Sequence, residues 1–278
     1  MPPITAPSTL DRYLDDLDPE LARIAAELTR ALARGAQQRG GRATHTTGVS
    51  ATGRLRIVAG PDLPPHPFLR PGAEYAVALR HASFKGFADD AVRDGRSAAL
   101  RLLGGDGRDL EDGVLDLILS NGDTFVLRDA RIFHRWFFAS LEQRAEILTW
   151  YDAFLPSFAE FVRSPDSFLD LDYYSQITYH YDAADGRRFL ARWRLTAPED
   201  RPDGGKVDPS ELRLPLDYVP RKDGDTRSTT YLRDDFRRRV REGGVAYRLQ
   251  LQLRELPDDP AARRAAADTT AAWPADQF

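Results

Sequence analysis

Arg42-Ala43-Thr44-His45-Thr46-Thr47-Gly48 sets one histidine three residues after an arginine and beside a threonine, and Gly53-Arg54-Leu55-Arg56-Ile57-Val58 follows after four intervening residues. Residues 54–59 alternate polar and apolar, as a half-buried strand does. Unperturbed imidazole titrates near about 6.5, so a histidine held at a strand can take and return a proton near neutral pH. A lone histidine on a strand is by default a satisfied structural residue. The pattern around His45 is what singles it out.

Working outward, Asp18 can cap a helix whose first turn holds Pro19. Leu21, Ile24, Ala25, Leu28 and Leu32 recur at helical spacing, and Gly35 is the expected stop. After His45, Glu74 to Ser83 alternates, and Ser97 to Leu103 and Gly113 to Ser120 are shorter apolar runs. Leu63-Pro64-Pro65-His66-Pro67 is a rigid loop. A helical block spans roughly Ala130 to Arg163. Strands resume at Gln176 to Asp182 and Arg188 to Leu195, around the turn Ala183-Ala184-Asp185-Gly186. Ala197 to Asp225 reads as long loops. A helix from Thr229 to Glu242 stops at Gly243-Gly244, and Val245 to Leu253 is the last strand. This order predicts an α+β protein: an antiparallel β-barrel with an inserted helical block at about 130–163. It also predicts an N-terminal helical arm (1–40) leading into a barrel domain (41–278).

Composition sets bounds. A chain of 278 residues can bury a sizeable core, and a net charge of −4 offers no global field for nucleic acid. The Arg237-Arg238-Arg239 cluster follows Asp234-Asp235 and reads as a solvated mixed-charge face. There are no cysteines, which excludes thiolate ligands, thiol nucleophiles and disulfides and fits a cytoplasmic protein. No apolar run approaches the roughly 20 residues of a membrane span, and no signal-peptide core opens the chain. The five histidines form no H-x-x-x-H or H-E-x-x-H pair, so a zinc site is not expected.

Several segments in order resemble the haem catalase superfamily. The His45 segment resembles its distal-histidine segment, in which an arginine placed as Arg42 is holds a haem propionate. Arg80 in Ala78-Leu79-Arg80-His81-Ala82-Ser83 matches a second propionate arginine. Val92-Arg93-Asp94-Gly95-Arg96 matches the superfamily's R-D-x-R turn. Leu115 to Asn121 matches a strand leading to a distal asparagine, and Phe133 matches the phenylalanine that stacks over the haem. Thr44, Tyr173-Tyr174-Ser175-Gln176-Ile177-Thr178-Tyr179 and Thr226-Arg227-Ser228-Thr229-Thr230-Tyr231-Leu232 resemble the coral-type allene oxide synthase branch. So does Tyr247-Arg248-Leu249-Gln250-Leu251-Gln252-Leu253.

The resemblance implies haem b as cofactor and an organic, fatty-acid hydroperoxide as small-molecule substrate, which would be dehydrated, cleaved or rearranged. His45 would move the proton, and Thr44 would hold its ring. Counting from Asp116 places Ser120 where the asparagine falls and Asn121 one position later, so both are candidates to hold the distal oxygen. Arg42, Arg80 and Phe133 would bind the cofactor. The superfamily's axial ligand is a tyrosinate four residues after an arginine, expected beyond Thr269-Thr270-Ala271-Ala272-Trp273-Pro274. The resemblance places that pair beyond Phe278, so the metal ligand stays unassigned. Arg227 and Tyr231 have that spacing but match an earlier helix by order. Two other functions remain open: a catalase-like peroxidase acting on hydrogen peroxide, and a haem-free protein binding an apolar ligand.

Overall fold

The structure is a computed structural model that describes residues 18–58, 60, 63–104, 113–150, 154–199, 201–213, 216 and 218–274. The first 17 residues of the arm, Ala59 at the end of the first expected strand, 151–153 in the helical block and 275–278 lie outside this set.

Helix α1 (Pro19–Arg39) starts as its residues dictate, with the Asp18 carboxylate accepting from the Glu20 and Leu21 N–H groups at 3.0 Å. It does not stop at Gly35. It runs on to Gly40, where φ is 65° and the N–H turns back to Gln37 O. A helix stop needs a residue that leaves the helical region, and Gly40 supplies the left-handed turn while Gly35 stays helical.

Strands β1 (Gly48–Arg56), β2 (Glu74–Ser83), β3 (Arg96–Leu103) and β4 (Gly113–Asn121) form an antiparallel meander. β5 (Tyr173–Tyr174) continues from β4 and pairs with β7 (Arg188–Thr196). β6 (Tyr179–Asp182) pairs with β7 as well, so β5 and β6 are two pieces of one strand, broken near Gln176, whose φ is 57°. β8 (Arg248–Glu255) lies on β7's other side. The result is an eight-stranded antiparallel sheet.

The sheet is not closed, which corrects the expected barrel. β1 and β8 are its edges, and no ladder joins them among the described residues. Helix α5 (Tyr231–Glu242) lies against β1 and puts Leu232 and Phe236 into the same core as Val49. The inner face carries Leu79, Leu100, Leu117, Tyr173 and Trp193 in one cluster. Each residue of that size contributes about 1.5–3 kcal/mol when fully buried.

The expected helical block is three short helices: α2 (Ala130–Phe138), α3 (Leu141–Ile147) and α4 (Phe154–Phe161). Caps divide the first two, with Asp129 opening α2 and the Ser140–Gln143 capping box opening α3. These helices build a second apolar cluster from Trp136, Ile147, Phe154, Phe158 and Phe161. α1 docks on α2 through Arg131 to Glu20 (2.6 Å) and His134 to Glu27 (2.7 Å). Helix α6 (Pro260–Ala267), capped by Asp259, is an element that hydrophobic periodicity did not reveal.

Candidate functional site

His45 sits on the turn into β1 with φ 52°, a left-handed conformation that costs a non-glycine residue about 1–2 kcal/mol. The surroundings hold it there. Its N–H donates to Phe84 O (3.1 Å), and its own carbonyl accepts from Arg80 Nη2 (2.7 Å). The Thr46 and Thr47 hydroxyls both donate to Gly86 O, at 3.0 and 2.8 Å. Gly48 is required by this packing, because a Cβ there would stand 2.3 Å from the His81 carbonyl oxygen and 2.9 Å from the Arg80 guanidinium.

The ring of His45 is fixed by Ser97 of β3, which sequence reasoning missed. Nδ1 lies 3.0 Å from Ser97 Oγ, and the Ser97 hydroxyl donates to Ala82 O at 3.3 Å. A hydroxyl has one hydrogen, so Nδ1–H is the donor to Ser97 and Nε2 keeps its lone pair. Among the described residues nothing else takes Nε2. Burial pulls the His45 pKa down to about 4, and the positive charges of Arg80 and Arg42 add to the effect. The ring is therefore neutral at pH 7 and able to act as a base. Thr44 is exposed and lines the same space, but the hydroxyl that meets the imidazole is that of Ser97. The one signal for Ser97 was a small polar residue opening the strand after the Arg93–Arg96 turn.

Behind Ser97 stands a second histidine. His81, wholly buried on the inner face, points Nδ1 at Ser97 O (3.3 Å) and Nε2 at Tyr247 Oη (2.8 Å). A carbonyl only accepts, so Nδ1 donates and Nε2 receives the Tyr247 hydrogen. Burial lowers the His81 pKa to about 3, overriding the Ser97 carbonyl, which favours the charged form.

Asn121 does not reach the open space. It is wholly buried; its Oδ1 accepts from Arg96 N (2.6 Å) and its Nδ2 donates to Glu160 O and Phe161 O (2.9 and 2.7 Å). It thus pins the residue before Ser97. Ser120 stands opposite Ser97 in the β3–β4 ladder, on the other face of the sheet from Asn121.

Two openings lie near these residues, and His45 lines one of them. One, of about 530 Å³, is lined by Thr44 and His45, by Phe133, Trp136 and Phe137 of α2, and by aromatic residues of α4. An edge-to-face series, His45–Phe84 at 4.9 Å and Phe84–Phe161 at 5.1 Å, forms one wall. The other, of about 720 Å³, lies over the sheet's outer face, where Arg42 and Arg80 join Ala78, Ala99 and Ile118. Neither arginine has an acidic partner among the described residues. Burial, followed by the neighbouring Arg42 charge, holds the Arg80 pKa below its ordinary value. Two adjacent uncompensated guanidinium groups suit carboxylates.

The two arginines would suit the propionates of a haem, while Phe133 lines the other opening, with His45. Among the described residues no tyrosine and no second histidine lines either opening, so no axial ligand is assigned. Tyr231 donates to Pro165 O (2.6 Å), and burial lifts its pKa to about 12, so it is a neutral phenol held elsewhere. Arg227 packs over its ring at 4.4 Å and pairs with Asp225 and Asp166. Among the described residues no three His, Cys, Asp or Glu side chains converge as a metal site. No described helix is long and apolar enough to cross a membrane.

The architecture is that of the catalases. A fungal catalase superposes with a TM-score of 0.63 at 19% identity, covering 90% of this chain and 50% of that one. In sequence, the chain is 36% identical over 254 residues to a linolenate 9R-lipoxygenase of Nostoc sp., covering 90% of this chain and 33% of that protein. It is 31% identical over 227 residues to an allene oxide synthase-lipoxygenase protein of Plexaura homomalla, covering 79% of this chain and 21% of that protein. The chain thus spans a third or less of these curated relatives. No family model matches it. Fold and sequence together establish its relationship to the catalase-like superfamily.

Proposed function

We propose that the chain carries out a haem-dependent transformation of an organic hydroperoxide, with a fatty-acid hydroperoxide as substrate. The observation that carries this reading is His45: a neutral imidazole held in a strained turn, its Nδ1 anchored on Ser97, at the wall of an aromatic cavity. Haem, when bound, supplies the chemistry of O–O cleavage.

The chain's own residues do the rest. Nε2 of His45 takes the hydroperoxide proton and returns it to the departing oxygen. Ser97 holds the tautomer that makes Nε2 the acceptor. Arg42 and Arg80 take the propionates, and Phe133 belongs to the wall that keeps water out and suits an acyl chain. The names of the two relatives, one a linolenate lipoxygenase and one containing an allene oxide synthase, support a fatty-acid substrate.

The test is haem titration followed by turnover. Haem addition is expected to give a Soret band whose affinity falls in Arg42→Ala and Arg80→Ala. Turnover of linolenate hydroperoxide is expected to exceed that of hydrogen peroxide. His45→Ala should lower it by roughly 10²-fold or more, the size of a general acid–base contribution. Equal or faster use of hydrogen peroxide would favour a peroxidase, and the absence of any Soret band would refute haem dependence.

A further inference from the structure

Arg144 of α3 stands at the aromatic cavity without an acidic partner. Its Nε donates to Trp136 O (3.2 Å), and the guanidinium lies over the Trp136 ring at 5.1 Å. The base of the fork is thereby fixed, while its two terminal nitrogens have no hydrogen-bond partner among the described residues. Elsewhere Arg163 is matched by Glu160 and Asp203, Arg233 by Asp90 and Arg194 by Asp172, whereas Arg80 and Arg96 meet backbone carbonyls. No carboxylate lines the cavity, and its exposed lining is mostly apolar.

We propose that this cavity binds long-chain carboxylates end-on, with Arg144 holding the carboxylate and the acyl chain lying along the aromatic wall toward His45. The guanidinium fork offers parallel N–H donors that match a carboxylate's two oxygens. In a space walled by rings the pairing is stronger than in water. A neutral ligand would leave the cation unmatched. The volume, about 530 Å³, lies within the range of small-ligand pockets. Lys85 also lines the cavity, but it sits on the sheet side, next to Phe84, and its own interactions already engage it. With the carboxylate fixed at one end, the distance along the chain decides which carbon comes to His45. Arg144 would thus select the regioisomer. This selection rests on the hydroperoxide reading above; the binding itself does not.

The test is isothermal titration calorimetry of the protein with oleate and with methyl oleate, neither of which is a hydroperoxide. Oleate is expected to bind at least 10-fold more tightly than its ester. Arg144→Gln should erase that difference while leaving the affinity for methyl oleate unchanged. Arg144→Lys should restore part of it, and Lys85→Gln should preserve it. Equal affinity for acid and ester in the unaltered protein would overturn the anchor while leaving the acyl site intact. A difference that survives Arg144→Gln, or that Lys85→Gln removes, would also overturn the anchor. If neither lipid binds, the fatty-acid reading of the cavity fails with it.

Discussion

At His45 the chain accepts backbone strain in order to aim a side chain. The left-handed φ is stabilised by groups that come from elsewhere, the Arg80 guanidinium on its carbonyl and the Phe84 carbonyl on its N–H. The ring then meets Ser97 instead of the adjacent Thr44. Ser97→Ala removes the acceptor for Nδ1 and frees the tautomer. The expected result is a fall in kcat of about 10-fold or more with KM little changed, since the substrate wall is untouched. An unchanged kcat would show that Ser97 is only structural. The low pKa adds a pH signature. As pH falls, the base is lost near about 4, not near the ordinary 6.5. A kcat/KM profile whose acid limb lies at 6 or above would contradict a buried, neutral His45.

Among the secondary-structure elements, strand alternation decides what each residue can do. Ser120 and Asn121 are neighbours in sequence, yet one pairs opposite Ser97 on the outer face and the other sends its amide into the joint between β4 and α4. Asn121→Ala would leave Arg96 N–H and two carbonyls without their partner. Destabilisation of about 3 kcal/mol or more is expected, measured as a lower urea midpoint. Ser120→Ala should change stability by less than about 1 kcal/mol. If the two variants are equally stable, the framing role of Asn121 is wrong. The same alternation separates Arg80, at the outer groove, from His81, in the inner core with Tyr247.

For the molecule as a whole, two histidines are kept neutral inside a sheet that also carries the site. The unfolded chain binds their protons near about pH 6.5, whereas the folded chain binds them only near about 4 at His45 and about 3 at His81. Stability therefore falls as pH drops through that interval and rises again with pH. Asp94 works the other way: burial raises its pKa to about 6, so folding is favoured as it takes up a proton below that value. It offsets one histidine in part. The urea midpoint should be lower at about pH 4.5 than at about pH 7, and His81→Gln should flatten that dependence. A pH slope identical in the variant would mean that His81 is not the buried titrating group.

What the sequence determined by itself was local: the strands, from apolar alternation; the α1 start, from Asp18 and Pro19; the hairpin at Gly186, from its turn residues. These follow from interactions within a few residues, so the chain carries them wherever it goes. The resemblance of the His45 segment to distal-histidine segments was legible in the same way, as residue types in order. Tertiary structure alone decided the rest. It joined Ser97 to His45 across 52 positions, turned the Asn121 amide toward α4, and set Arg144 at the aromatic cavity. It also left the sheet open, with α5 against β1. The physical reason is common to all of these. A hydrogen bond or ring contact between distant segments depends on register and packing, which only the assembled sheet and its helices define.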